Sequence, residues 1–357
     1  MSNTFSLQAP HIHALTRRLF MAAGAPVRIA DEVAAILVRS NLSGHDSHGV
    51  LRVPAYLKQI QEGTLNPAAE PTLVKEGPNT LLIDGNNGFG HYTAKRAMAM
   101  AIEKSKTDRI CCVNFTQIHH IGRLGEYAED AARAGCMGMT TVGYGTGIGK
   151  GIVAAHGGNR GALGTNPIAF GVPTGDDTPF VLDYATSVVA EGKLQVARSK
   201  RLNVPEGTIM NNAGEPTTDP NDFYAGGALM PFAKHKGYAL SLVVCLLGGL
   251  SGQFDLAQAG MGGAYMQVWN IDSFTPLTAY QQHVRIFLDG LKALPTADGY
   301  DEVLAPGDFE VRSRHHRLQH GIELPEPIYV AIQDWADRLH VPMNETIIEA
   351  EDAARFR

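Results

Sequence analysis

The chain has 357 residues, 44% hydrophobic and 18% charged, with a formal net charge of −6 at neutral pH. That length exceeds one small core and predicts two or three packed units of an ordinary globular enzyme. The acidic balance argues against nucleic acid or an anionic membrane surface as the main partner. The cysteines, Cys111, Cys112, Cys136 and Cys245, form no CxxC pair. Neither a disulfide framework nor a zinc knuckle is therefore expected, and a reducing, cytoplasmic setting fits.

In chain order, the first ~65 residues read as helical. The stretch HALTRRLFMAAG stops at Gly24, and PVRIADEVAAILVRSNLSG runs from Pro26 to Gly44 with Ile29, Val33, Ile36 and Leu37 on one apolar face. The polar loop GHDSHGVLR (Gly44 to Arg52) overlaps the start of another helix, GVLRVPAYLKQIQEG, which ends at Gly63. The period then changes. NTLLIDGNNGFG reads as a strand into a glycine turn, HYTAKRAMAMAIEKSK as a helix, RICCVNF as a strand, RLGEYAEDAARAG as a helix and CMGMTTVG as a strand. This β-α-β-α-β rhythm predicts an α/β domain with a largely parallel or mixed sheet.

A glycine-rich connection, Gly143 to Pro167, precedes the strands IAFGVP and PFVLDYA. Residues 199–228 read as loop. The apolar run Gly237 to Gly252 is too short and too glycine-rich for a membrane span, so a buried helix over 236–250 is expected. A strand, AYMQVWNID, an amphipathic helix, PLTAYQQHVRIFLDGLKAL, and a helical tail over 324–352 complete the chain. The amino terminus lacks a basic region followed by an apolar run.

Several groups of residues carry candidate chemistry. If His48 opens a helix, Arg52 lies one turn on along the same face. Such a pair presents a proton-transfer group and a planar carboxylate clamp to one small substrate. The competing reading makes Asp46 a helix cap with His48 and Arg52 solvated. His45, His48, His119 and His120, with Asp46, offer enough ligands for a metal-dependent hydrolase, yet no spacing matches HExxH. His120 follows a predicted strand, at the end of the sheet where α/β folds bind ligands.

GYGTGIGKG fits neither GxGxxG nor GxxxxGK[ST], so a standard Rossmann or P-loop site is not indicated. Asp183, Thr186 and Ser187 follow an apolar strand and suit either a ribose or phosphate contact or a helix cap. Lys236 opens the buried helix, where free amides favour an anion. LAPGDFE (Leu304 to Glu310) reads as a turn. Arg198, Lys200 and Arg201 suit a 2′-phosphate or a solvated loop.

Six segments in order, GHDSHGVLR, HHIGRLGEYA, LGTNPIAFGVP, VLDYATSVVAEGK, PFAKHKGYALSLVVCLLGGLSG and LAPGDFEVRSRHHRLQHGI, run through nearly the whole chain. Together they resemble the type 2 malate/L-lactate dehydrogenases, a family that includes ureidoglycolate, sulfolactate, diketogulonate and cyclic-imine carboxylate relatives. The forms look closest to the hydroxycarboxylate dehydrogenase B-like branch. The resemblance implies a non-Rossmann, mixed-sheet α/β domain that binds NAD or NADP, packed with a helical part built from both chain ends. The division implied is 1–75, 76–309 and 310–357. It also implies a homodimer and hydride transfer between NAD(P)(H) and a 2-hydroxy acid or 2-oxo acid.

By the same resemblance, His48 and His120 are catalytic histidines. Arg52 holds the substrate carboxylate. Asp183 supports a histidine and begins a cofactor-contacting segment. Thr186, Ser187, His235, Lys236, Gly307 and Asp308 lie in cofactor-contacting segments. Gln117 and Ile118 depart from the Asn-Ser that many members carry before the second histidine. Reduction of a cyclic imine carboxylate, a ureidoglycolate-type oxidation, the metal-dependent hydrolase and a non-catalytic small-molecule binder stand as alternatives.

Overall fold

A computed structural model of the chain describes residues 4–176, 178–343 and 356. The amino-terminal part comprises strand β1 (Thr4–Leu7) and helices α1 (Ala9–Ala22), α2 (Val27–Leu42) and α3 (Val53–Gln61). Next come β2 (Thr72–Gly77), β3 (Thr80–Asp84), α4 (Gly90–Asp108), β4 (Ile110–Thr116), α5 (Gly125–Arg133) and β5 (Cys136–Thr146). The glycine-rich connection contains β6 (Val153–Ala154) and β7 (Gly161–Leu163) and leads to β8 (Ile168–Val172), β9 (Phe180–Tyr184) and α6 (Glu191–Ser199). Short elements follow: β10 (Ile209–Met210), β11 (Pro216–Thr217), α7 (Pro220–Tyr224) and β12 (Ala228–Leu229). The chain continues through α8 (His235–Gly249), β13 (Gly260–Asn270), α9 (Leu277–Lys292), α10 (Asp308–His320), β14 (Ile322–Pro325) and α11 (Glu326–Arg338).

The sheet is mixed, as expected, with mostly antiparallel pairs. Among the described residues, only β3–β4 and β6–β12 pair in parallel. The α4 crossover makes β3 and β4 parallel neighbours, but β5 does not join β4. Strand β13, from more than a hundred residues on, inserts between them and runs antiparallel to both. Hairpin β8–β9 extends the far side of β5. Local periodicity cannot show such an insertion, because the pairing is non-local.

Two large cores result. One joins Leu19, Ile29, Val33 and Leu37 from the first helices to Ile322, Leu324, Ile332 and Phe356 from the far end. Strand β1 pairs antiparallel with β14 and ties the chain ends together. The other core, under α4 and α5, contains Leu81, Ile83, Met98, Phe115, Tyr127 and Val268. Strand β2 spans residue 75 and α10 spans residue 309.

Some local expectations change. Residues 199–228 are not wholly loop. Their strands are two residues long and show no alternation, while α7 is capped by the Asp219 side chain, which accepts the Asn221 amide at 2.9 Å. Strands β1 and β14 and helices α6 and α10 also lie outside the sequence reading. In the predicted helical tail, α11 covers Glu326–Arg338, and residues 344–352 lie outside the described residues.

Candidate active site

Helix α2 ends at Leu42 and the chain turns into the polar loop. His48 does not open a regular helix. Two 3₁₀ turns, Asp46–His48 and Val50–Arg52, are broken at Gly49, whose backbone is extended. Asn41 explains the break. Its Oδ1 accepts the Val50 amide at 2.9 Å and its Nδ2 donates to Asp46 Oδ1 at 2.7 Å. A Cβ on Gly49 would lie 2.1 Å from Asn41 Oδ1, so the side chain can reach inward only past a glycine. Within the loop, Ser47 Oγ lies 2.9 Å from His48 Nδ1. Arg52 Nε donates to the Ser47 carbonyl at 2.7 Å. This bond anchors the arginine by its stem side and leaves its terminal fork for a ligand.

The parallel pair β3–β4 delivers the facing histidines. Both strands run toward the same edge, where α4 starts and the segment after β4 turns back. A Cβ at Gly90 would lie 2.2 Å from the His119 carbonyl oxygen, so only glycine lets this backbone rest on the first turn of α4. The result is a cluster of four rings. His120 stacks on His48, with centroids 5.6 Å apart and planes at 18°. His91 meets His120 edge-on at 5.7 Å, and Tyr56 of α3 meets His91 at 5.4 Å. Tyr56 Oη lies 2.6 Å from His120 Nδ1. Ser47 and Tyr56 thus engage Nδ1 of His48 and His120 respectively, which leaves Nε2 of both imidazoles without a hydrogen bond among the described residues.

The electrostatics follow from crowding without a bound counter-charge. His48 is pushed down to about 4 by desolvation, then by Arg52, His45 and Arg123. His91, fully buried, falls to about 3 by desolvation and then His48, with Glu126 opposing. His120 sits well below its ordinary value by desolvation, then His91, His48 and Arg52. Burial raises Tyr56 above the usual phenol range. At neutral pH the cluster is three neutral imidazoles and a phenol beside a guanidinium, a set able to accept a proton and hold an anion.

Neither Asp46, read as a cap or a metal ligand, nor Asp183, expected to support a histidine, bonds to His48 or His120 among the described residues. Asp46 receives both terminal nitrogens of Arg317, at 2.5 and 2.9 Å, because α10 packs over the loop. Asp183, at the end of β9, accepts the Gly125 amide at 2.7 Å and so caps α5, with Arg123 Nε at 3.8 Å. Burial, the largest influence, raises its pKa. The four histidines of the metal reading do not converge. His45 Nε2 pairs with Glu310 at 3.0 Å, and His119 Nε2 lies 2.9 Å from the Thr64 carbonyl oxygen. Among the described residues, no group of three or more His, Cys, Asp or Glu side chains is arranged to hold a metal ion.

The segments expected to contact a cofactor fall on β9 and its continuation, at the start of α8 and at the start of α10. Thr186 and Ser187 run beside 230–232, with the Phe232 amide donating to the Thr186 carbonyl at 3.0 Å and the Val188 amide to the Met230 carbonyl at 2.9 Å. The hydroxyls of Thr186 and Ser187 donate to the carbonyls of Thr165 and Val189. His235 and Lys236 are exposed at the start of α8. Gly307, at φ +103°, packs against Pro179 and Val181, and Asp308 accepts from the Ala305 amide and from Lys292. Arg198 donates to Asn221 and stacks on Tyr224, so α7 holds its guanidinium. Gln117, at φ +46°, donates to Asp84 and accepts from Asn87.

Sequence reading missed His91, Tyr56 and Arg317. His91 follows a strand and a glycine turn just as His120 follows a strand, so its place at a strand's carboxyl end was legible. Tyr56 stands four residues after Arg52. Arg317 gave no signal, because its partner is 271 residues away.

A family model described as malate/L-lactate dehydrogenase matches residues 7–333. Hydroxycarboxylate dehydrogenase B of Escherichia coli K12 is 34% identical, over 97% of this chain and 98% of its own. The structure of sulfolactate dehydrogenase from Methanocaldococcus jannaschii superposes with a TM-score of 0.87 at 30% identity, covering 96% of this chain and 100% of that one. Delta1-piperideine-2-carboxylate reductase from Pseudomonas syringae gives 0.80 at 29% identity, covering 93% and 100%. The chain belongs to the malate/L-lactate dehydrogenase family, whose members are NAD(P)-dependent.

Proposed function

We propose that the four-ring cluster and Arg52 form the site where this NAD(P)-dependent 2-hydroxy-acid dehydrogenase holds its substrate and exchanges a proton with it. One observation carries this reading: an arginine anchored through Nε, with its fork available, stands beside two imidazoles whose Nδ1 atoms are already engaged. Arg52 holds the substrate carboxylate through two parallel hydrogen bonds. His48 Nε2 takes the hydroxyl proton during oxidation and returns it to the developing alkoxide during reduction, with His120 as its partner across the stack. Tyr56 fixes the orientation of His120. The bound substrate carboxylate brings the missing negative charge and favours the imidazolium that reduction requires.

NAD(P)H, when bound, supplies the hydride. His235 and Lys236, exposed at the N-terminus of α8, suit its phosphates. Asp183, Thr186 and Ser187 lie on β9 and the segment that continues it beside 230–232, and Gly307 packs against β9 at Val181. A cyclic imine carboxylate fits the same clamp and proton donor, and the likeness to a piperideine-carboxylate reductase favours testing it. A panel of 2-oxo acids and cyclic imines, each assayed with NADH and NADPH by nicotinamide absorbance, tests the reading. Oxidation of neither cofactor with any member overturns it.

The active form is read as a homodimer. Helix α8 is apolar on every side, and such a helix is expected to be buried all round. One face packs on β5 and β13, yet Leu242, Val243, Leu246 and Leu250 on the other are exposed, as are Ile286 and Phe287 of α9. A second copy supplies the cover. Val243→Glu with Leu246→Glu is expected to shift the sedimenting species to a monomer; a wild type that already sediments as a monomer counts against the dimer.

A further inference from the structure

Helix α10 carries Glu310, Arg314 and Arg317 at spacing i, i+4, i+7, which places them on one face. Each reaches the segment that leads into the proposed catalytic loop. Glu310 pairs with His45 at 3.0 Å. Arg314 donates to Ser43 Oγ at 3.4 Å and to Glu129 at 3.2 Å. Arg317 takes both oxygens of Asp46 and also donates to the Asn41 carbonyl at 2.5 Å. Asp46 in turn accepts from Asn41, and Asn41 holds the Val50 amide. The chain Arg317–Asp46–Asn41–Val50 therefore closes around residues 47–49. Inside that closure, Ser47 holds His48 through its hydroxyl and Arg52 through its carbonyl. On the opposite side of α10, Arg312 makes an exposed pair with Glu302 and touches none of this.

We propose that Arg317 is a positioning residue: through the Asp46 carboxylate it sets the turn that carries both His48 and Arg52, which makes helix α10, 271 residues further along the chain at Arg317, a working part of the active site. The fork-to-carboxylate geometry fixes angle as well as distance. One bonded unit carries both the proton-transfer group and the carboxylate clamp, so loosening it displaces both at once. A displacement of about 1 Å in such groups costs about 100-fold in rate. The inference rests on the reading of the loop as catalytic, and the test separates the two.

Arg317→Met in the full chain is expected to lower kcat/KM for a 2-oxo acid about 100-fold. The loss divides between a higher KM, from Arg52, and a lower kcat, from His48, while NADH affinity holds. Amides of residues 44–52 exchange with deuterium about tenfold faster, and those of β4 and β5 do not change. Arg317→Lys, which keeps the charge but not the fork, recovers part of the loss. Asp46→Asn combined with Arg317→Met is no worse than the worse single variant, since both break one link. Arg312→Ala leaves kinetics unchanged.

If Arg317→Met does not fold, Arg317→Lys and Asp46→Asn carry the same measurements. Unchanged kcat, KM and 44–52 exchange in the folded variants overturn the proposal, as does a fall in thermal stability alone. A wild type inactive on the whole substrate panel overturns the functional reading instead, and the exchange of 44–52 still decides whether Arg317 holds the loop.

Discussion

Two polar regions lie side by side in this molecule and are built on opposite terms. Between α2, α4 and α5, every charge meets its opposite. Glu126 accepts from Arg39 at 2.7 Å and from Lys95 at 3.1 Å, and Lys95 continues to Asp130 at 2.8 Å. Glu129 gathers Arg133 and Arg314. Despite burial, Arg39 and Lys95 hold their protons more tightly than usual and Glu126 stays ionised. In the ring cluster, by contrast, three imidazoles and Arg52 share a packed space with no carboxylate bonded to them among the described residues, and burial wins. The paired region holds helices together; on the proposed reading, the unpaired one takes its counter-charge from the substrate. A site that binds a carboxylate must leave a cation without one.

The comparison breaks or stands first on a pair of substitutions with crossed effects. His48→Ala is expected to reduce turnover about 10²–10⁴-fold, the usual contribution of a general acid or base, with NADH affinity and thermal stability near wild type. Glu126→Gln removes the carboxylate shared by Arg39 and Lys95. It is expected to cost about 2 kcal/mol in urea unfolding, because two half-buried cations lose the carboxylate they share and keep only Glu32 and Asp130, while the folded fraction turns over at close to the native rate. If Glu126→Gln instead loses turnover with its stability intact, the two regions are one functional unit and the division fails.

The second test uses acid. Folded His91 and His48 stay neutral down to about 3 and 4, whereas unfolded histidine takes a proton near 6.5. The unfolded state therefore binds more protons below 6.5, and stability falls as pH drops from about 6.5 toward 4. Asp130, raised to about 6 chiefly by burial, works in the opposite direction over part of that range. His91→Phe keeps the ring and removes one titrating group. Its unfolding free energy is expected to fall less steeply than the wild type's between those limits, by about 3 kcal/mol. Equal slopes would show that His91 is not held neutral by burial.

How much of this was legible in sequence follows the same division between local and non-local causes. Glycine and proline punctuation with an apolar period located α1, α2, α4, α5 and α8, because those signals belong to neighbouring residues. Strand β13 between β4 and β5 was hidden, since nothing near Gly260–Asn270 records its neighbours. The motif loop showed its chemistry in His48 and Arg52 but not its geometry. The break at Gly49 depends on Asn41, and the fate of Asp46 depends on Arg317. Asp183 looked like a histidine's support; the fold spends it on the Gly125 amide.

The smallest expected effect compares two arginines. Arg39 directs Nε and a terminal nitrogen to Glu126, so its guanidinium is consumed by structure. Arg52 gives only Nε to the Ser47 carbonyl and keeps its fork. Replacement by lysine keeps each charge and removes each fork. Arg39→Lys should therefore lower stability by about 1 kcal/mol, the scale of one charge-assisted bond, with KM unchanged. Arg52→Lys should raise KM for the 2-oxo acid about tenfold, the equivalent of roughly 1.4 kcal/mol, and alter kcat and stability little. An unchanged KM in Arg52→Lys would mean the carboxylate is held elsewhere. The fork would then have to be explained by some other anion, since the bond from Nε to the Ser47 carbonyl ties down the stem of Arg52 and leaves its two terminal nitrogens unbonded among the described residues.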